Sequence, residues 1–206
     1  MLLLLYLIYL MFNFNSIYTK DQIDKLGNAI IFLCERIKPL SKTKLLKLIY
    51  LIEESSVKRY GAPFFNLRFD VWRLGPVSRD LFVEISNEPA LLEDYINRDI
   101  KKGTIFIHPK RQFADDEFND LEIALMEQIV MTFKKMSAEE LVDLTHRKHS
   151  PWYSAAYENG LLEPFEKGLA NTSDIQIDFS KMIEGDADKL AVYNSHKRKY
   201  KRILAL

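Results

Sequence analysis

The chain has 206 residues, 48% of them hydrophobic, and carries 29 Lys+Arg against 29 Asp+Glu, a formal net charge of zero. That length and apolar content suffice to bury a core of ordinary size, so a single domain with terminal extensions is expected. Zero net charge leaves no global electrostatic footprint for nucleic acid, and the lone cysteine, Cys34, excludes an intrachain disulfide or a cysteine-rich zinc module, which suits a reducing cytoplasm.

The chain opens on an apolar run from Met1 to Phe12. A membrane-spanning helix needs roughly 20 apolar residues, whereas this run stops at Asn13. It also lacks the basic start and small-residue cleavage site of a signal peptide. Two readings stay open: a membrane-associating or partner-binding tail, or an early start codon with Met11 as the true first residue. The second is preferred, because Met11-Phe12 directly precedes polar sequence that leads into the first domain helix. Residues 1–18 are therefore set apart from a domain at 19–169.

Thr19 or Asp21 caps a helix predicted over about residues 20–38, in which Ile23, Leu26, Ile30, Ile31, Leu33 and Ile37 recur near the helical period; Pro39 ends it. Ser41 caps a second helix with a buried stripe of Leu45, Leu48, Ile49, Ile52 and Val57, stopped by Gly61. Alternation from Leu67 to Leu74 predicts a short strand, Gly75-Pro76 a turn, and Pro76 the first turn of a helix running to about Ser86. Gly103 to His108 is a second strand candidate, which could join the first in a small hairpin or sheet on the helices.

Helical pattern then returns. Acidic and polar residues from Asp115 to Asn119 precede Leu121, Ile123, Leu125, Met126, Ile129, Val130 and Phe133, placing negative charge at the positive end of a helix. Ser137 and Glu140 have capping-box spacing for a shorter helix through Leu144, and Ser150-Pro151 opens another that stops at Asn159-Gly160. Composition turns polar after Gly168, so residues 170–206 read as a C-terminal extension, partly helical, with a basic end. The fold class expected is mainly α: a compact helical domain with a two- or three-stranded β element.

The residues that could carry chemistry are few. Asp143, His146 and His149 are spaced three apart and on a continuous helix would approach a common metal ion, as in a metal-dependent hydrolase. Pro151 favours the alternative, that the helix ends near His149 and the histidines serve its C-terminus. No further ligand is recognisable, so no metal or cofactor is assigned and the chain is read as a non-enzyme. Cys34, among Ile30, Ile31, Phe32, Leu33 and Ile37, reads as packing. The basic run His196 to Arg202 with Tyr200 interleaved is the best patch for nucleic acid, although a solvated helix end is the commoner role for such a run. Trp72 and Trp152 each sit beside a turn, where tryptophan anchors a core more often than it makes an interaction hot spot.

The order of K-L-L-K-L-I-Y-L at Lys44 to Leu51, F-D-V-W-R-L-G-P-V at Phe69 to Val77 and L-T-H-R-K-H-S-P-W at Leu144 to Trp152 resembles the Panacea domain, also called the SocA-like antitoxin or phage-associated GepA-like family. The resemblance covers about Asp21 to Leu169. It implies a compact, mainly helical antitoxin that neutralises a toxin protein, encoded nearby, by direct contact. Some relatives resemble adaptors that deliver a toxin to a AAA+ protease. Val71-Trp72-Arg73 stands where an Ala-Trp-aromatic run is frequent in the family. On this resemblance the candidate partner-binding residues are Trp72, Arg73, Gly75, Pro76, Val77, Thr145, His146 and Trp152.

Overall fold

The computed structural model describes residues 18–203, with side chains through Arg198. The apolar start of the chain and the side chains of Lys199 to Arg202 lie outside the described residues. Helix α1 spans Lys20–Arg36 and opens on a capping box between Thr19 and Gln22. It ends with Ile37 as its C-cap, just before the cis peptide Lys38–Pro39. The short strand β1, Leu40–Ser41, feeds helix α2, Lys42–Tyr60, whose N-cap Ser41 accepts a hydrogen bond from the Lys44 amide. Gly61 closes α2 with φ 67, a left-handed conformation that favours glycine.

After a loop come β2, Asp70–Trp72, and β3, Gly75–Val77, followed by α3, Arg79–Ser86. Strands β4, Ile96–Lys101, and β5, Thr104–Pro109, form a second hairpin. Helices α4, Asp120–Phe133, α5, Ala138–His146, α6, Pro151–Glu158, and α7, Leu162–Glu166, complete the central part. Capping boxes at Asn119/Glu122 and Ser137/Glu140 start α4 and α5, and Ser150 with Pro151 starts α6. A 3-10 turn, Phe179–Met182, and helix α8, Ala187–Ile203, close the described chain. The architecture is mainly α with two small sheets, the expected class.

Helix α2 is the axis of the core. It touches α3, α4, α5, α8, the 3-10 turn, and strands β1, β3 and β5. Leu45, Leu48, Ile49, Ile52 and Val57 of the predicted stripe are all fully buried. Burial extends right round the helix to Lys47, Tyr50 and Glu53, because neighbours cover every face. Its charged groups are consequently anchored to backbone: Lys44 Nζ donates to the carbonyls of Lys134 and Met136 at the end of α4, at 2.8 and 2.6 Å. The Glu53 carboxylate accepts from the Phe65 amide at 2.7 Å, pinning the loop after α2, and burial pushes its pKa up to about 7.

Two local expectations are corrected. The strand at 67–74 is shorter, and Pro76 lies in β3 opposite Val71 instead of in a helix. The reversal is a two-residue loop, Arg73-Leu74, with Trp72 opposite Gly75. Proline is tolerated there because β3 is the edge strand of its pair and needs no outward N–H donor. The strand containing Gly103 to His108 exists as β5, but it pairs with β4 and β1 and not with β2. Lys102-Gly103, both at positive φ, make the β4–β5 turn.

The residues after Leu169, read as an extension, supply core and bond to the backbone of β2. On the side of β2 away from β3, the Arg73 amide donates to the Asn171 carbonyl, Val71 to Ile175, and Ile177 to Phe69, each at 2.9 Å. Ile177, Phe179, Ile183 and Tyr193 are buried, and Phe179 packs edge-on against Phe69. Asp70, 1% exposed, is held between Arg68 and Arg79, each at 3.2 Å, and Arg79 also pairs with Asp174. A buried carboxylate kept between two guanidinium groups ties the hairpin to α3 and to the returning chain.

Candidate functional site

The two tryptophan-bearing segments, far apart in sequence, meet. The Trp152 indole N–H donates to the Trp72 carbonyl at 2.9 Å, joining α6 to the end of β2. Gly75 has φ 95, and a Cβ there would stand 2.7 Å from Thr145 Oγ1 and 2.9 Å from Lys47 Nζ, so only glycine lets β3 lie this close to α5 and α2. From below, Lys47 donates to the Pro76 carbonyl at 2.9 Å. Burial lowers the Lys47 pKa from 10.5 to about 7.

The α5–α6 corner is held by short bonds. Thr145 Oγ1 donates to the Val142 carbonyl at 2.8 Å, the Ser150 hydroxyl donates to the Thr145 carbonyl at 2.7 Å, and the Tyr153 amide returns to Ser150 Oγ at 3.0 Å. His146 presses its ring on Trp152, centroids 3.9 Å apart. Burial and then the nearby Lys47 push its pKa down to about 4 against the pull of Asp143, so the imidazole is neutral at ordinary pH. Trp72 stands edge-on to Phe82 of α3 at 5.0 Å.

These contacts sort the candidate residues. Gly75, Pro76, Val77, Thr145 and Trp152 are buried, Trp72 and His146 are half-buried, and Arg73 is exposed. The buried members form a rigid base, and the Arg73-Leu74 loop is what the base presents. Nothing in the sequence singles out Leu74, which is 63% exposed; a period-2 strand reading through residue 74 gives no reason to expect a bare leucine at a loop tip. Leu169, 78% exposed, follows Gly168, where a Cβ would stand 4.0 Å from Arg73 Nη1. Arg73 also donates to Asn171 at 3.2 Å, so the loop and the 168–171 segment share a surface. Lys47, buried beneath the hairpin, is detectable only from the fold, because its spacing in α2 is that of an ordinary solvated lysine.

The metal reading depends on a continuous helix through His149, and the helix ends at His146. Arg147 leaves helical geometry, and His149 is exposed with φ 66. Among the described residues no group of three or more His, Cys, Asp or Glu side chains is arranged to hold a metal ion. Cys34 is buried, 3.7 Å from the Ile107 carbonyl, and its thiol is pushed up to about 12, the state of a packing residue. In the basic end, Lys197 Nζ lies 5.5 Å from the Tyr193 ring centroid, while His196 and Arg198 are exposed. Among the described residues no helix is long and apolar enough to cross a membrane.

Comparison with known proteins adds a lineage to this geometry. The profile of the family described as antitoxin SocA-like, Panacea domain, matches residues 45–153, a span that runs from α2 to the start of α6. Antitoxin SocA of Caulobacter vibrioides (strain NA1000 / CB15N) is 31% identical over 120 residues, covering 55% of this chain and 58% of that protein. No solved structure matches the chain.

Proposed function

The chain belongs to the SocA-like Panacea-domain family, and from that premise we propose that it is an antitoxin, a non-enzymatic protein of the cytoplasm that binds a cognate toxin and blocks it by direct contact. The family match carries this reading, since it includes both tryptophan segments and the contacts that join them. The contact face we assign is the Arg73-Leu74 loop with the adjoining Leu169 surface. An exposed apolar tip on a base fixed by Lys47, Thr145 and Trp152 suits recognition, because little side-chain or loop freedom remains to be lost on binding.

Co-expression tests the proposal. A toxin encoded beside this gene should arrest growth alone and lose that effect when the two are produced together, with toxin abundance unchanged if the mechanism is blockade. Leu74→Asp, at a 63% exposed position, should leave folding intact and abolish rescue. Full rescue by Leu74→Asp would remove the loop from the contact face, and absence of binding to any neighbouring gene product would sink the antitoxin reading.

A further inference from the structure

Away from the Arg73-Leu74 face, the framework follows a second pattern. Helix α1, strand β1, helices α2 and α3 and the hairpin β4–β5 succeed one another along the chain, and their shared sheet is antiparallel in the order β1-β5-β4. Helix α1 packs on β4 and β5, and α2 packs on α3. This is the order of a winged helix, a helix-turn-helix variant in which the last helix enters a DNA groove and the hairpin after it, the wing, rests on the flanking phosphates. Residues 61–78, with β2 and β3, are inserted between α2 and α3. Topology alone assigns no ligand, so the chemistry of the helix and of the wing decides.

The helix does not qualify. The inserted hairpin lies on it: Trp72 stands edge-on to Phe82 at 5.0 Å, and Arg79, the one basic residue of α3, is tied to Asp70 at 3.2 Å and to Asp174. The other charged residues of α3, Asp80 and Glu84, are acidic. The wing has the opposite character. Residues 96–111 hold five basic residues, Arg98, Lys101, Lys102, Lys110 and Arg111, against one acid, Asp99, in a chain whose charges balance. Ile100 to Thr104 are all exposed, and a Cβ on Gly103 would meet nothing within 4 Å, so the tip stands clear of the body. Lys101 pairs with Asp99 at 2.8 Å, an exposed pair of little net strength, and Lys102 is in no ion pair among the described residues.

We propose that the β4–β5 wing is a binding surface for double-stranded DNA. Successive side chains of a strand point to opposite faces, so a tip seated at a groove turns Lys101 to one wall and Ile100, 62% exposed, to the other, with Lys102 at the turn between them. The two ammonium groups meet phosphates, and Ile100 lies on deoxyribose. That apolar contact favours DNA over RNA, whose minor groove displays 2′-hydroxyls. Because α3 is covered, no base edges are read, and binding is independent of sequence.

Fluorescence anisotropy of a labelled, mixed-sequence DNA duplex titrated with the full chain measures the affinity. Two neutralised phosphates predict a slope of log affinity against log salt of about −2, a loss of about tenfold between about 50 and 200 mM. Lys101→Gln/Lys102→Gln should abolish that slope, whereas Lys197→Gln/Arg198→Gln in the basic end should bind as the parent does. A duplex of unrelated sequence should bind within about threefold, and an RNA duplex of the first sequence more weakly. In the ¹⁵N-labelled parent, DNA should shift the amides of Ile100 to Thr104, a readout that needs no variant; without DNA, matching amide spectra of variant and parent report folding. Absence of binding at low salt, shifts confined to other residues, full binding to a folded Lys101/Lys102 variant, loss of binding only in the Lys197/Arg198 variant, or RNA binding as tight as DNA would each overturn the proposal. So would marked preference for one sequence, or displacement of the duplex by polyaspartate as readily as by unlabelled DNA, which would make the wing a surface for acidic proteins. None of these readouts depends on neutralisation, so the two proposals fail separately.

Discussion

Lys47→Met tests whether the hairpin really rests on a buried, poorly solvated lysine. Methionine keeps the length and apolar stem and removes the ammonium. In the folded protein burial lowers the Lys47 pKa from 10.5 to about 7. Below about pH 7 the group is charged in both states, and the native state bears the whole cost of burying it. The span of 10.5 − 7 = 3.5 pH units corresponds to about 5 kcal/mol at about 1.4 kcal/mol per unit. Between pH 7 and 10.5 the unfolded chain holds the extra proton, so stability rises with pH across that window. From pH 6 to pH 9 the part due to Lys47 is about 2.5 kcal/mol. The variant lacks this slope, and it also leaves the Pro76 carbonyl without its donor, a cost of about 1–3 kcal/mol that is the same at both pH values. Lys47→Met should therefore be the more stable protein at pH 6 by about 2 kcal/mol or more, and that advantage should shrink by about 2.5 kcal/mol at pH 9. His146 is held down chiefly by burial, which Lys47→Met leaves in place, and Glu53 titrates alike in both proteins and cancels. Urea unfolding followed by tryptophan fluorescence, at equal m-values, measures the difference. A stability gap that stays constant within about 0.5 kcal/mol between the two pH values would refute the reasoning, because it would mean Lys47 keeps its ordinary pKa.

Three further changes probe other parts of the frame. Gly27→Ala inserts a methyl group against the Tyr95 ring, and the clash should outweigh the gain in helix propensity of about 1 kcal/mol, lowering stability by about 1–3 kcal/mol in thermal melts; a variant as stable as the parent would contradict this. Glu53 has a raised pKa of about 7, so its native form holds a proton that the unfolded chain has already lost, and stability falls as pH rises from about 4.5 to 7. Glu53→Gln should abolish a loss of about 2.5 kcal/mol between pH 5 and pH 8 in urea titrations, and an unchanged pH profile would count against the buried carboxylate. Trp152→Phe keeps most of the ring volume but removes the donor to the Trp72 carbonyl, and should cost about 1–2 kcal/mol by chemical denaturation; no loss would show that this bond does not secure the hairpin.

The helices were legible because their ends are written in local chemistry. Thr19, Ser41, Ser137 and Ser150 each cap the helix expected of them, and Gly61 stops α2 as its position suggests. Strand pairing was less legible. Ile96–Lys101 hides as β4 because Asn97, Arg98 and Asp99 break any apolar alternation, and its partner β5 and not its own pattern makes it a strand. Pro76 carries the signal of a helix start, yet an edge strand satisfies the same lack of an N–H, and only pairing with Val71 distinguishes the two. At the candidate site, the segments around Trp72 and Trp152 were visible as compositions, but their contact depends on the tertiary fold.

The hairpin that carries Arg73 and Leu74 borrows its outer partner from Asn171 to Ile177, a hundred residues downstream. A chain emerging from the ribosome makes α2 and the hairpin long before that segment exists, and until it arrives the amides of Val71 and Arg73 have only water to bond. The face is thus finished by a stretch made after both signature segments, and a product truncated before Asn171 would carry both of those segments while lacking the residues that close them.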